Sequence, residues 1–248
     1  MEVHHHSHTA RKKWTHYFWE FLMLFLAVFC GFLAEYKLEH TIEHQRAKVY
    51  ATNLYEELKN DTIRLNYLIK EAKRVSKKLD TLCLYSSEKK ERNITNGMLY
   101  YYASFTVNVD YFSSNNATVE ELKGSGNLRL MKSKVAHEIS EYDKKIRELE
   151  NEYETSKGEF EKFEALYFKI YDGYIMELIS SSEIKNRDSV FKLNIPLIND
   201  DPKLMKEFIG WMKFEQTIYE MQSERYLAPL KQDAIELLAL LKKEYHLE

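Results

Sequence analysis

Histidine and glutamate are the residues whose spacing in this sequence could support chemistry, because imidazoles and carboxylates bind divalent metals. His40 and His44 are four residues apart, so on a helix they share one face. Glu39 and Glu43 stand beside them. A specific metal site requires further ligands at a fixed geometry. The sequence therefore predicts no resident metal and no cofactor, and His40 and His44 are its weak candidates for a metal site.

A second group of histidines opens the chain at His4, His5, His6 and His8. An expression tag is one interpretation, although tags usually carry an unbroken run of six. Metal binding is another, but a flexible tail binds such ions without the fixed geometry of a specific site. We interpret residues 1–13 as a polar, basic N-terminal tail.

Sequence signatures of catalysis are missing. Gly124 and Gly126 lack the preceding strand and the basic residue of a phosphate-binding loop. No H-E-x-x-H motif occurs, and no E-x-x-H motif repeats as a di-iron bundle requires. A net charge of −3 gives no electrostatic reason to expect nucleic-acid binding. The sequence therefore predicts a protein that is not an enzyme and has no nucleic-acid partner.

An apolar stretch near the N-terminus is the first element that organises the chain. Residues 21–34 read FLMLFLAVFCGFLA, without a charge. Flanking aromatic residues extend the stretch to residues 14–36, which suffices for a hydrocarbon core of roughly 30 Å. A cleaved signal peptide is the alternative, but the stretch is long, contains Glu20 and lacks a small-residue cleavage site. We therefore predict a single transmembrane helix at residues 14–36, in contact with the lipid bilayer.

One face of this predicted helix carries small and polar residues and is called the stripe below. Its members are His16, Glu20, Leu24, Ala27, Gly31 and Glu35. Small residues four apart, such as Ala27 and Gly31, let two helices approach closely. Glu20 either extends to nearby headgroups, which is the simpler interpretation, or faces a partner helix. The second interpretation predicts a helix–helix interface in the membrane, with the protein itself or another membrane protein as the partner.

Basic residues on the two sides of the span predict its orientation. Three of them, at residues 11–13, abut its N-terminal end, whereas three on the other side are spread over residues 37–48. A tight basic cluster favours retention in the cytoplasm. The N-terminus is therefore predicted to be cytoplasmic, and residues 37–248 are predicted to be periplasmic in a bacterium.

Residues 37–248 are predicted to form an elongated antiparallel helical bundle, so the expected fold class is all-α. The sequence is 30% charged and has only seven glycines and three prolines, a composition typical of helices. Apolar residues spaced by three and four form a first seam: Leu54, Leu58, Leu65, Leu68, Ala72, Val75, Leu79 and Leu82. We expect three helices of about 45–50 residues and one short aromatic helix in this bundle.

A second seam spans five heptads and predicts coiled-coil-like packing. It consists of Val135, Ile139, Tyr142, Ile146, Leu149, Tyr153, Ser156, Phe160, Phe163, Tyr167 and Ile170. Its many aromatic residues fit a thick bundle better than a two-stranded zipper. The glutamates at 148, 150, 152 and 154 step by two, so they spread over opposite sides of a helix and are predicted to be solvated. A third apolar face comprises Leu204, Phe208, Trp211, Phe214, Ile218 and Met221.

Several local signals predict where these helices break. Residues 92–97 contain an Asn-Gly pair, which indicates a turn. Residues 98–112 are rich in Tyr, Phe and Val, and we interpret them as a buried helix because a lone strand would have no partner. Thr118 and Glu121 fit a capping box. Pro229 predicts a kink in the last helix.

The first forty residues or so resemble a known family. The opening MEVHHH, the basic cluster and HYFWEFLMLFLAVFCGFLAEYKLEH are similar to an uncharacterised Bacteroidota family of membrane-anchored proteins with a domain of unknown function. The later NNATVEELKGSGNLRLM resembles the second recognisable block of that family. The resemblance implies that the histidine-rich start is native, that Glu20 and Glu35 match the family pattern, and that the compartment is a bacterial inner membrane. It implies no activity.

These observations predict a non-enzymatic, membrane-anchored helical protein that oligomerises or serves as an accessory or scaffold subunit of a bacterial envelope complex. A sensor-like ligand-binding bundle is the first alternative, with residues 98–112 lining a pocket. A small oligomeric channel is the second, with the Glu20 face lining a pore. The scaffold interpretation comes first because the tail of residues 1–13 supplies no output domain for a sensor.

Overall fold

The computed structural model describes residues 14–106, 110–181 and 187–247. Every regular element within these residues is a helix, which confirms the predicted all-α class. The chain divides into two compact units, Met1–Val49 and Tyr50–Glu248. The histidines at positions 4, 5, 6 and 8 and the basic cluster at 11–13 lie outside the described residues.

The helices are numbered in chain order, and the longest, α1, spans Trp14–Ser87. The other α-helices are α2 (Asn96–Ala103), α3 (Ala117–Gly124), α4 (Ser133–Ile170), α5 (Gly173–Ser180), α6 (Arg187–Phe191), α7 (Pro202–Met221) and α8 (Ala228–Tyr245). A 3₁₀ turn at Asn127–Leu130 precedes α4, and a π-helical turn at Gln222–Leu227 connects α7 to α8.

In the unit Met1–Val49, the described residues belong to α1. An 18-residue window of α1 is strongly apolar, and none of it is buried. Among the described residues, α1 is the one helix that is long and apolar enough to cross a membrane. Exposed aromatic side chains flank the apolar segment, with Trp14, Tyr17 and Trp19 at its start and Tyr36 at its end.

In the unit Tyr50–Glu248, the C-terminal part of α1 packs into the core through the first predicted seam. All members of that seam are at most 8% exposed: Leu54, Leu58, Leu65, Leu68, Ala72, Val75, Leu79 and Leu82. Steps of three and four place these side chains on one face of the helix, where burial removes their apolar surface from water. The prediction of this seam is confirmed.

The chain from Asp110 to Glu121 returns along α1. Hydrogen bonds show its direction by joining Arg64 to Asp110, Asp61 to Ser114, Glu57 to Thr118 and Tyr50 to Glu121. Residue numbers rise along the returning chain as they fall along α1, so the two run antiparallel. The predicted helix at residues 98–112 is only partly present, because α2 ends at Ala103 and residues 110–116 are not helical.

Helices α7 and α8 run antiparallel to α4. The Phe163 and Phe208 ring centroids lie 6.1 Å apart near one end of this pair. Near the other end, the Lys132 ammonium donates to the Glu244 carboxylate at 2.7 Å. Together with the returning chain, the long helices therefore make a four-pass helical bundle within this unit.

Helix α4 is shorter than the predicted 45–50 residues, with 38 residues. The reason is a new cap, since the Asp172 carboxylate accepts a hydrogen bond from the Tyr174 N–H at 2.9 Å and starts α5. Both ends of the second seam are buried, as predicted. Its middle positions, Tyr153, Ser156 and Phe160, are only half-buried.

The predicted capping box at Thr118 and Glu121 is wrong. Helix α3 begins at Ala117, and its preceding residue, Asn116, makes no side-chain cap. The Thr118 hydroxyl and N–H both donate to the Glu57 carboxylate, at 2.8 and 3.1 Å. A carboxylate on α1 therefore satisfies the N–H group that the local cap was expected to satisfy.

The buried face of α7 also differs from the prediction. Its buried residues are Phe208, Met212, Glu215 and Tyr219. Phe214, which the apolar pattern placed inside, is 47% exposed. Both rows of residues step by three and four, so periodicity cannot choose between them. Packing against α4 selects the row that contains a glutamate.

The break predicted at residues 92–97 is present but is built differently. Asn93, not the Asn-Gly pair, adopts a left-handed conformation, with φ of 49°. The pair instead begins α2, and Gly97 lies directly against the end of α6 and the chain that follows it. A Cβ atom on Gly97 would lie 2.0 Å from the carbonyl oxygen of Val190, so this close approach requires glycine.

Candidate functional site

The predicted stripe lies on the exposed surface of α1. The His16 Nε2 and Glu20 Oε1 atoms are 3.0 Å apart, which joins two of its members. A shallow groove follows this part of the helix, lined by His16, Trp19, Glu20, Met23, Leu24 and Ala27. A Cβ atom on Gly31 would meet nothing within 4 Å. The stripe therefore presents small and polar groups that a second helix can approach, and its role as an interface stays a prediction.

His40 and His44 also lie exposed on α1. The His40 ring stacks on Tyr36, with ring centroids 6.4 Å apart and an interplanar angle of 5°. No group of three or more His, Cys, Asp or Glu residues that could hold a metal ion occurs within the described ranges. The structure thus adds no ligand to this histidine pair.

A pocket of about 230 Å³ opens between α4 and α7 in the unit Tyr50–Glu248, and we call it the α4–α7 pocket. It is lined by Tyr111, Glu152, Thr155, Ser156, Glu159, Phe160, Phe214, Glu215, Ile218, Tyr219 and Gln222. Three carboxylates and four aromatic rings are present in this lining, and no basic side chain is among them. The pocket is therefore both acidic and aromatic.

The α4 wall of the pocket coincides with the half-buried middle of the second seam. Ser156 occupies a seam position, and its hydroxyl bonds back to the Glu152 carbonyl oxygen at 2.9 Å. A small polar side chain at this position fills less space than the aromatic residues before and after it. Glu152 and Glu159 flank Ser156, and Glu152 therefore lines a pocket although its spacing predicted a solvated residue.

The α7 wall contributes the two most buried polar side chains of the pocket. Glu215 is 5% exposed and Tyr219, one helical turn later, is 7% exposed. Glu215 accepts no hydrogen bond from the part of the chain that the structure describes, and the Tyr219 hydroxyl has no partner there either. Burial, and next the charge of Glu159, raise the pKa of Glu215 to about 7.

Aromatic residues complete the walls. Tyr111 comes from the returning chain, and its ring packs edge-on against Tyr153 with centroids 4.7 Å apart. The Arg64 guanidinium donates to the Tyr111 carbonyl oxygen at 3.3 Å and so ties this residue to α1. Phe160 on α4 and Phe214 on α7 supply the other rings. Tyr111, which belongs to residues 98–112, therefore lines this pocket.

The π-helical turn begins directly at the pocket, since Gln222 is both a lining residue and the first residue of the turn. A π-turn inserts an extra residue into a helix and frequently marks a functional site. Pro229 follows in the first turn of α8, where its missing N–H is tolerated. The irregularity that Pro229 predicted therefore appears as a widened helical turn before the proline.

Sequence reasoning did not identify this pocket, although one signal in the sequence points to it. Ser156 is the one small polar residue of the second seam, whereas Glu215 stands beside Lys213, Gln216 and Thr217 and lies off the predicted apolar face of α7. Either residue alone is common in helices. Their significance depends on α4 and α7 facing each other, which the sequence does not show.

Comparison with known proteins finds no match: no protein family, no curated protein and no solved structure is significantly similar to this chain. Function is therefore inferred from the chemistry of the molecule itself. That chemistry consists of an exposed apolar helix with a small-residue stripe and of an acidic, aromatic pocket.

Proposed function

We propose that the protein is a non-enzymatic, membrane-anchored helical protein of a bacterial inner membrane that associates through its transmembrane helix. The observation that carries this proposal is the exposure of the apolar part of α1, of which none is buried within the structure. Each large apolar side chain left in water costs about 1.5–3 kcal/mol relative to burial. A bilayer removes that cost along the whole segment 14–36.

The same proposal assigns an orientation. The basic cluster at residues 11–13 favours a cytoplasmic N-terminus. Residues 37–248 then lie in the periplasm.

Fractionation of the full chain tests the anchor. We expect the protein to remain in the membrane pellet after alkaline carbonate extraction and to retain its complete N-terminus. A soluble chain that begins after residue 36 would instead show a cleaved signal peptide.

Cysteine labelling tests the orientation. With Cys30 and Cys83 replaced by serine, Glu39→Cys should react with a membrane-impermeant maleimide when the outer membrane is permeable and the inner membrane is intact. Ser7→Cys should react only after the inner membrane is opened. The reverse pattern would contradict the assigned orientation.

A second copy of this chain is the partner that the stripe fits best, because Ala27 and Gly31 allow close approach of two identical helices. Glu20 and His16, already paired at 3.0 Å, would bring hydrogen-bonding groups to such an interface. The accessory role in an envelope complex would use the same face with a different membrane protein. Both roles require the stripe and neither requires catalysis.

Disulfide crosslinking in membranes tests this face. Leu24→Cys in a Cys30→Ser background should form a dimer on oxidation, and adding Gly31→Leu should lower the dimer association constant about fivefold, or ~1 kcal/mol. Phe29→Leu is the matched control, since it introduces the same residue on the opposite face. Monomers alone, with no copurifying membrane protein, would refute the association.

A further inference from the structure

The α4–α7 pocket has a composition that selects for positive charge. We propose that it binds a small ammonium compound with an apolar or aromatic body, with Glu215 as the counter-ion. The inference goes beyond membrane anchoring and does not depend on it, because every lining residue belongs to the unit Tyr50–Glu248.

The burial of Glu215 makes its ionised form costly. A carboxylate that is 5% exposed and accepts no hydrogen bond from the described residues is expensive to keep ionised. Such a group either binds a proton or acquires a cation. A cationic ligand in the pocket would supply the missing charge and the missing hydrogen-bond donor together.

The unpartnered hydroxyl of Tyr219 is an independent observation that points to a ligand. Buried hydroxyl groups are normally hydrogen-bonded, but this one, on a pocket-lining side chain that is 7% exposed, has no partner in the described residues. A phenol oxygen accepts a hydrogen bond from an ammonium group. Glu215 and Tyr219, one turn apart on α7, can therefore receive two N–H donors of one ammonium group.

Aromatic rings of the pocket would contact the apolar or aromatic body of the ligand. Tyr111, Phe160 and Phe214 form walls that attract a cation through their ring faces and bury apolar groups. Glu152 and Glu159 add negative charge on the opposite helix. The pocket volume of about 230 Å³ limits the ligand to a small compound.

A metal ion is a poorer occupant of this pocket. Calcium and magnesium require several oxygen ligands converging at short distance. Within the described residues, no three His, Cys, Asp or Glu side chains are close enough to hold a metal ion. The pocket carboxylates are thus arranged to surround a larger, organic cation.

The test compares two probes that differ only in their terminal group. 2-Phenylethylamine and 2-phenylethanol have the same ring and chain, but the first ends in a charged ammonium and the second in a neutral hydroxyl, and each is titrated by calorimetry into the full chain in detergent micelles at pH 8. We expect the amine to bind at least about tenfold more tightly than the alcohol, because hydrogen bonds to a charged group are stronger than those between neutral groups. Equal binding of the two probes, or no binding of the amine at ~10 mM, would overturn the proposal.

Substitutions of pocket residues test whether the amine binds in the α4–α7 pocket. Glu215→Gln keeps the side-chain shape and should weaken amine binding about tenfold, with less effect on the alcohol. Glu207→Gln is the matched control, since it makes the same change at an exposed position of the same helix and should bind as the wild type. Tyr219→Phe should also weaken amine binding.

An unchanged amine affinity in Glu215→Gln would refute the assignment of the counter-ion. Loss of binding in Glu207→Gln as well would show non-specific charge attraction and would also refute it. Circular dichroism of each variant checks that the helices are retained, so that loss of binding is not mistaken for loss of folding.

Discussion

Two buried carboxylates lie in the same helical unit but have opposite surroundings. Asp61 is 4% exposed and accepts hydrogen bonds from the Ser114 hydroxyl at 2.6 Å, the Tyr142 hydroxyl at 2.9 Å and the Asn115 N–H at 3.4 Å. Glu215 is 5% exposed and accepts none from the described residues. The two carboxylates are therefore about equally buried, but they accept different numbers of hydrogen bonds.

The difference separates a structural carboxylate from a candidate site. Asp61 joins three parts of the bundle, namely α1, the returning chain and α4, because its donors come from the latter two. A satisfied buried charge of this kind holds the surrounding segments in one arrangement. Glu215 accepts no hydrogen bond from the described residues, so its burial is a cost to stability that a ligand or a proton must offset.

The largest expected effect is at Asp61. Asp61→Ala leaves the buried Tyr142 hydroxyl and the half-buried Ser114 hydroxyl without this acceptor, and we expect the free energy of unfolding to fall by about 3 kcal/mol. Urea unfolding of the full chain in detergent micelles, followed by circular dichroism, measures this loss. A change below about 0.5 kcal/mol would show that the Asp61 cluster is not structural.

Glu215→Gln should raise the free energy of unfolding, and the size of the increase should depend on pH. The pKa of Glu215 rises from its ordinary value of 4.5 to about 7 on folding, so the folded state binds its proton more tightly. The contribution of Glu215 to wild-type stability should therefore be highest below about pH 4.5, fall as the pH rises to about 7, and stay constant above that value. The same unfolding experiment at pH 8 should find the variant more stable than the wild type by about 2 kcal/mol.

The gain from Glu215→Gln should vanish near pH 4.5, where the carboxyl group is protonated in both states. Glu207→Gln, at an exposed position of α7, is the control and should show no such pH dependence. A variant that is less stable than the wild type at pH 8 would mean that Glu215 has a partner, and the contrast with Asp61 would be lost.

A pair of tyrosine variants isolates the hydrogen bonds themselves. Tyr142→Phe removes one donor to Asp61 and should cost about 1 kcal/mol. Tyr219→Phe removes a hydroxyl without a partner in the described residues and should be neutral or slightly stabilising. Thermal unfolding of the two variants side by side measures the difference, and equal losses would contradict the proposed contrast.

The smallest effect is expected at an exposed carboxylate. The Lys213 ammonium lies 2.7 Å from the Asp80 carboxylate, but both side chains are more than half exposed. Solvent screens such a pair, so Asp80→Ala should change the free energy of unfolding by about 0.5 kcal/mol or less. A loss as large as that of Asp61→Ala would show that burial does not govern these carboxylates.

Much of the helical architecture could be predicted because it depends on local pattern. The first seam from Leu54 to Leu82 is buried as predicted, and the apolar part of α1 is recognisable from composition. The capping box at Thr118 was wrong because Glu57, distant in sequence, competes for the same N–H group. The buried face of α7 was wrong because two rows of side chains satisfy the same helical period.

The α4–α7 pocket shows the limit of prediction from sequence most directly. Ser156 breaks the apolar pattern of the second seam, but Glu215 lies off the predicted apolar face of α7 and is far from Ser156 in the sequence. A polar residue in one helix has no meaning for function until the residue opposite it is known. The order and direction of the passes in the bundle decide which residue lies opposite. One of these passes is the returning chain, which is not helical at residues 110–116.

The sequence alone therefore determined that this chain is helical, where its long seams lie and that residues 14–36 are apolar enough to span a bilayer. These properties follow from spacing and composition, which act over a few helical turns. Only the tertiary structure decided that the chain returns along α1, that α7 buries Glu215, and that Tyr111, Glu159 and Tyr219 surround one pocket. Those outcomes depend on contacts between distant segments, because packing and desolvation act between side chains that meet only after folding.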